Sequence, residues 1–581
     1  MGTYIRLIDF KDADNKRIQF ANKDNYYVRS NSEYNSIPGG LYAYWITQKS
    51  IEQFEKGMLG DSVVASVGIQ TGDNDLFLRF WWEVDKSEIK FDARDVNDSF
   101  QEKKWFPYNK GGEYRRWYGN DYMVINWKND GEAIKKNSEL TGHHYQQYAN
   151  SLKFKPFITW SRVTTGIPAF RYKDYGYLSD MAGFSLYGEE DELYNVLGFC
   201  NSIVARYYLD FLAPTLNIMT GPVLSMPYNK EGVNVKDVVS EMVEDAKAEW
   251  DDYEYSFGFT RHPLMKESLD GKSVYIKDLF TEWEEKCKTR FEKVKNNEKK
   301  NNEIFINTFG LNSELSAEID DSDVSVRLAD LERDIKSLIS YAVGCVMGRY
   351  SINNQGIAFA GGKWDASKYP EEFQPCEYGV MPITEEQYFE EDLCTKVIDF
   401  LRISYGEETL ADNLKYISSA LKPNSYDSPK KIIREYLFGE FFDDHYQIYQ
   451  HRPIYWQMDS GKVGGFRAIL YMHRYNENTL PFVRTEFIQD LRYKYEEDML
   501  RKKERIESAS STAEKNSIKK EITVLDKKVM ECAAYDELLN HITSSMDKYS
   551  IELDEGVKCN YSKFIAVDGD KNKNILTAVK L

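Results

Sequence analysis

The sequence predicts an α+β protein: a mixed α/β module, then largely helical domains, then a C-terminal helical hairpin. Three observations carry this. Short β-rich runs separated by turns fill residues 59–230, apolar residues recur at helical spacing from 231 onward, and two such periodic runs flank a polar break near 510. At 581 residues the chain is too long for one core and predicts about three or four domains. Composition shifts place boundaries at 1–58, 59–230, 231–349, 350–483 and 484–581.

The first segment reads as a strand over Tyr4–Phe10, a polar loop, a turn at Pro38-Gly39-Gly40 and a short helix. Thr47 caps that helix, Ile51 and Phe54 face inward, and Gly57 ends it. One strand and one helix cannot bury a core of their own. In 59–230, strand-like runs lie at 122–127, 157–163 and 169–180, the last with a turn at Asp174. A helix follows over 193–212, with Leu193, Val196, Leu197, Ile203, Val204 and Tyr207 on its apolar face and Pro214 beyond its end.

Residues 231–349 read as almost wholly helical, and the charged stretch at 284–303 as a solvated helix face. Residues 350–483 mix helices with an irregular run at 443–475, punctuated by Pro453 and Gly461 to Gly465. In the last segment Ile488, Leu491, Tyr495 and Met499 repeat at three and four, then Ile518, Ile522, Leu525 and Val529 do the same. Ser511 and Glu514 between them have capping-box spacing, so the segment predicts an antiparallel hairpin.

The net charge of −19 excludes a surface that is basic everywhere, so contact with nucleic acid requires a local patch. Residues 101–175 provide one, with 13 Lys/Arg against 7 Asp/Glu. The seven cysteines are scattered without C-x-x-C spacing, as expected of buried thiols in a reducing compartment. The acidic N-terminus and the lack of a long uncharged run predict a cytoplasmic protein that does not span a membrane.

Several chemistries lack their residues. There is no H-E-x-x-H pair, no G-x-S-x-G elbow and no G-x-x-x-x-G-K-S/T loop, so no metal site is expected, and no hydrolase or ATPase. A nuclease assembled by choice among 94 carboxylates carries no weight. Two stretches remain. In GIQTGDNDLFLRF at 68–80, Gly68 and Gly72 permit a tight turn that gathers Gln70, Thr71, Asn74 and Arg79; amides read adenine edges and Arg reads guanine. The bland alternative is a structural turn. Downstream, Lys103, Lys104, Lys110, Arg115 and Arg116 interleave with Trp105, Tyr108, Tyr114 and Trp117, which suits phosphate contact with stacking support, or equally a half-buried hairpin. Alternation in ITWSRVTTGIPAFRY sends Arg162 and Thr164 to the face opposite Val163, toward a groove or toward solvent.

SVGIQTGDNDLFLRFWWEVD at 66–85 and EKKWFPYNKGGEYRRWYGNDYMVINW at 102–127 together resemble PglX, the adenine-specific DNA methyltransferase family of BREX phage-defence systems. IPGGLYAYW at 37–45, RHPL at 261–264, SYAVGCVMGRYS at 340–351 and IYQHRPIYWQMDSG at 448–461 extend the likeness in order along the chain. Residues 197–217 and 221–228 are similar to the closing helix and strand of target-recognition domains in TaqI-like methyltransferases and type I specificity subunits. There Asn201 and Ser202 match a helix motif whose expected role is structural.

The sequence has no Pro-Pro pair. Gly39-Gly40, Gly111-Gly112, Gly361-Gly362 and Gly464-Gly465 lack the strand, glycine turn, helix context of a nucleotide-like cofactor. The resemblance therefore implies the DNA-reading half of such an enzyme, inactive alone. Residues 1–58 would be a remnant of the methyltransferase domain and linker, and 59–230 the target-recognition module. S-adenosylmethionine would serve the absent catalytic half, with no cofactor in this chain. The implied partners are double-stranded DNA, that missing or separate methyltransferase domain and other BREX components. A specificity subunit acting in trans and an interaction scaffold that does not bind DNA are the alternatives.

Overall fold

The computed structural model describes residues 2–8, 10–164, 166–231, 233–265, 274–544 and 546–581. It is α+β, with small sheets set among many helices. Its contacts gather the chain into two units, one of Met1–Phe77, Lys90–Trp250 and Lys288–Arg327, the other of Leu78–Ile89, Asp251–Cys287 and Leu328–Leu581. Neither is a continuous stretch, so the five segments read from composition describe local character rather than these units. Among the described residues no helix is long and apolar enough to cross a membrane. Six cysteines are buried thiols outside any disulfide, while the Cys559 thiol is exposed.

In the first unit, Gly2–Ile5 pairs antiparallel with Tyr26–Arg29. The strand expected over Tyr4–Phe10 thus begins and ends earlier; Asp9 lies outside the described residues. The expected polar loop contains a helix, Ala13–Ala21, because Asp12 caps it by accepting the Asn15 amide at 2.7 Å. The helix Gln48–Glu52 starts at Thr47, which accepts from the Ser50 amide; Ile51 and Phe54 are buried, and the following turn ends at Gly57 with φ +134°.

Two sheets follow. One is antiparallel throughout, in the order Val64–Ser66, Gly183–Tyr187, Phe157–Ser161, Phe170–Lys173. In the other, Trp105–Asn109 pairs antiparallel with Met123–Asn126 and parallel with Leu178–Ser179. All five residues of Trp105–Asn109 and of Gly183–Tyr187 are buried, which is why these strands lack a polar face. Trp105, Phe106, Trp127, Phe157, Trp160 and Phe184 fill this core.

The helix expected over 193–212 is two helices, Glu190–Cys200 and Ile203–Leu212. Ser202 breaks them by capping the second, its hydroxyl accepting from the Ala205 amide. Asn201 clamps a neighbouring strand, accepting from Phe170 N and donating to Phe170 O, both at 2.9 Å. Within the long helix Ile276–Phe309, the stretch read as solvated buries Glu298, Asn301 and Asn302 in this unit. Asn301 donates to Gly198 O at 2.8 Å, and Asn302 accepts from Ile203 N at 2.8 Å.

The second unit is built on a three-stranded antiparallel sheet with Arg467–Tyr471 between Val380–Ile383 and Tyr455–Asp459. Helices Leu331–Met347, Leu393–Tyr405 and Pro429–Gly439 contribute its apolar core. Arg349 is fully buried there, bonded to the hydroxyls of Tyr350 and Tyr471. The predicted hairpin is present as Gln489–Ser508 and Thr512–Thr543, with Leu491, Tyr495, Ile518 and Leu525 buried and Ser511 capping the second helix. Lys502–Glu521 at 2.7 Å joins its two arms.

Candidate nucleic-acid interface

The segment Ser179–Gly183 is the hub on which the candidate loops of the first unit converge. Ile69 N donates to Ser179 O at 2.6 Å and Met181 N to Ile69 O at 3.2 Å, fixing the loop that carries Gln70. Gly68 is needed there, since a Cβ would sit 2.2 Å from Ser179 O. Asp180 N donates to Asn109 O at 2.9 Å, which holds the turn beginning at Lys110. Arg162 N donates to Ala182 O at 3.0 Å. Gln70, Lys110 and Arg162, far apart in sequence, therefore start from one short segment. Beneath them Tyr108 donates to Asp180 Oδ2 at 2.7 Å, and burial raises the Asp180 carboxyl above its usual range, partly countered by the Ala182 amide, Tyr108 and Lys110.

The loop side chains divide by exposure. Thr71 is buried and donates to Asn74 Oδ1 at 2.7 Å, so the hydroxyl is spent on shaping the turn while Asn74 is exposed. Gln70, Lys110, Arg162 and Thr164 are half-buried. Thr164 turns its hydroxyl back to accept from Gly166 N at 3.2 Å. Arg162 and Thr164 do oppose Val163, but it is Val163 that reaches solvent, at 59% exposure. The strand ends at Ser161, and bonds from Ile218 N to Arg162 O and from Thr164 N to Leu216 O hold the next residues inward.

Arg115 and Arg116 serve the interior. Arg115 pairs with Glu249 beneath Trp250, and Arg116 Nη1 lies 3.1 Å from Glu298 Oε2; both arginines are buried. The two carboxylates respond oppositely. Burial works against charge on each, yet Glu249 is held below its usual range because Arg115 and Arg327 both face it. Glu298 has one guanidinium and the neutral Trp117 indole, so burial wins and its carboxyl is raised. Lys173 is buried against Asp121, Lys153 against Asp130 at 2.6 Å, and Arg171 donates to Arg115 O at 3.1 Å. Five of the thirteen cations in 101–175 and two of its seven carboxylates are thus buried, leaving a surface excess of three positive charges rather than six.

The remaining candidates lie elsewhere. Arg79 belongs to the second unit, buried with Nε donating to Asp554 O at 3.0 Å and Nη1 to Leu78 O at 2.7 Å. Lys103 and Lys104 are half-buried at the far end of Trp105–Asn109 from Lys110, about 20 Å away along the strand direction. Lys104 lies over the Trp105 ring at 5.2 Å.

Sequence reasoning did not place Gln146, whose backbone pairs with Gln70, or the nearby His143 and His144 beside the candidate loop. The available signal was Gly142, which caps the unforeseen helix Lys128–Thr141 and opens the polar run HHYQQ. The glycine pairs do not fit an adenosyl cofactor: Gly39-Gly40 lies in a short turn, Gly361-Gly362 in a loop, Gly111-Gly112 leads from a strand into a loop, and Gly464-Gly465 precedes a strand.

No family model matches the chain. It is 38% identical to the adenine-specific methyltransferase PglX of Lacticaseibacillus casei (strain Zhang) over 599 residues, covering 100% of this chain and 49% of that protein. The chain is thus similar over its whole length to about half of an adenine-specific methyltransferase. It is also 33% identical to the adenine-specific methyltransferase BrxX of Escherichia coli O9:H4 (strain HS) over 596 residues, 97% of this chain and 47% of that one. The chain spans about half the length of these curated PglX and BrxX relatives.

Proposed function

We propose that the chain is the DNA-binding, target-recognition part of a PglX-like adenine-N6 methyltransferase, which marks host DNA as self in BREX phage defence. The observation that carries this is similarity over the whole chain to two adenine-specific methyltransferases, in a sequence without the Pro-Pro loop that methyl transfer to adenine uses. Methyl transfer from S-adenosylmethionine belongs, in this reading, to the portion of such proteins that these 581 residues do not span. The first unit then chooses the site. Gln70 and Asn74 offer amides to base edges, and Lys110 offers a charge to phosphate near the same hub. Lys103 and Lys104 touch phosphates further along the duplex, and Arg115, Arg116 and Arg79 hold the fold. The helices of the second unit position the DNA or bind other BREX components in the cytoplasm.

The test is selection from a pool of randomised duplexes. Sequencing the DNA retained by the chain should reveal one enriched site, and retention without enrichment would remove target recognition from these residues.

A further inference from the structure

Gln70 N donates to Gln146 O at 2.9 Å, and Gln146 N donates to Gln70 O at 3.1 Å. This two-way exchange makes them a directly opposed antiparallel pair, so their side chains rise from the same face. Both are half-buried, and among the described residues neither side-chain amide hydrogen-bonds to a protein group. The pair is held from both ends. Gln70 follows Ile69, whose carbonyl lies 3.1 Å from the Tyr108 hydroxyl. On the Gln146 side, Ser138 of the helix Lys128–Thr141 donates to His143 O at 2.7 Å, and Gly72, at φ +75°, packs so close that a Cβ would come within 3.0 Å of His143 Cβ.

The result is a single bridged pair with two amides side by side on a fixed backbone. The major groove admits a pair of adjacent extended segments, and there a glutamine pairs bidentately with the N6 and N7 edge of adenine. Opposed side chains start about 5 Å apart, and neighbouring base pairs are stacked about 3.4 Å apart, so a small convergence brings both amides onto consecutive pairs.

We propose that Gln146 is a base-reading residue that works with Gln70 as a two-amide edge, each taking one adenine of two neighbouring A·T pairs. This rests on the reading of the first unit as a DNA-recognition module, and it adds the base class and a second reader.

The experiment uses the 581-residue chain, randomised duplexes and four proteins: wild type, Gln70→Ala, Gln146→Ala and Gln146→Glu. Wild type should select a site containing two adjacent A·T pairs. Gln146→Ala should weaken binding to that site roughly 5- to 150-fold and relax one of the two positions, while Gln70→Ala relaxes its neighbour; binding to a scrambled duplex should not change. Gln146→Glu keeps the length and backbone pairing of the side chain and should shift the position from adenine toward cytosine, whose N4 donates to a carboxylate. Thermal unfolding of the Gln146 variants should match wild type, since the amide bonds to no protein group. An unchanged selected site in both Gln146 variants overturns the proposal, as does equal weakening on selected and scrambled DNA. If wild type selects no site at all, the recognition reading itself fails, and the proposal with it.

Discussion

Trp117 donates its indole Nε1–H to Glu298 Oε1 at 2.6 Å, while Arg116 holds the other carboxylate oxygen at 3.1 Å. The tryptophan is fully buried and adopts φ +71°, a conformation that a bulky residue keeps only when its surroundings enforce it. With Arg115, Tyr118, Asn120 and Asp121 also buried, the RRWYGND stretch is a structural plug.

Arg116→Ala and Glu298→Ala should therefore each destabilise the chain by about 3–5 kcal/mol, the cost of leaving one buried partner uncompensated. Urea unfolding measures this. The salt dependence of any DNA binding should be the same as in wild type for variants that remain folded; a slope lower by about one with unchanged stability would return Arg116 to the phosphate backbone.

The Asn201 clamp gives a second stability prediction. Asn201→Ala leaves Phe170 N without its side-chain acceptor in a buried strand and should cost about 1–3 kcal/mol by the same measurement. Loss of target selection without loss of stability would contradict the structural role.

In the second unit, His445 Nε2 accepts from Ile454 N at 3.1 Å and Tyr455 N at 3.0 Å, which requires a neutral ring. Burial, reinforced by Arg349, holds its pKa well below the usual range. A depressed folded-state value contributes stability that is present above the unfolded-state pKa and lost as pH falls. The unfolding free energy by which wild type exceeds His445→Gln should therefore shrink by about 1.4 kcal/mol for each pH unit below about 6.5. A gap constant between pH 7.5 and 5 would contradict a neutral, accepting histidine.

Calorimetric titration of the chain with S-adenosylmethionine should be flat, because none of the four glycine pairs links a strand to a helix. A micromolar isotherm would place methyl transfer within these residues.

What could be read before folding depended on range. The hairpin followed from apolar spacing between Ile488 and Val529 and from Ser511, and the short N-terminal helix from Thr47, because those signals lie within a few residues of the elements they specify. Glu298 reads as part of a solvated face, since its partners Arg116 and Trp117 are about 180 residues away. Partners 134 and 182 residues away made Arg115 and Arg116 look like a basic surface. Gln146 gave no local sign of the pairing with Gln70, and Ser202 hid a helix break inside an uninterrupted apolar pattern.

The central claim, that the first unit is a DNA-binding module whose surface cations include Lys110, is tested most directly by titrating the chain with duplex DNA at several salt concentrations. The expected result is affinity that falls linearly in log-log form, with Lys110→Ala reducing the slope by about 0.9 and leaving unfolding unchanged. Binding that is absent, or present without salt dependence, would contradict it.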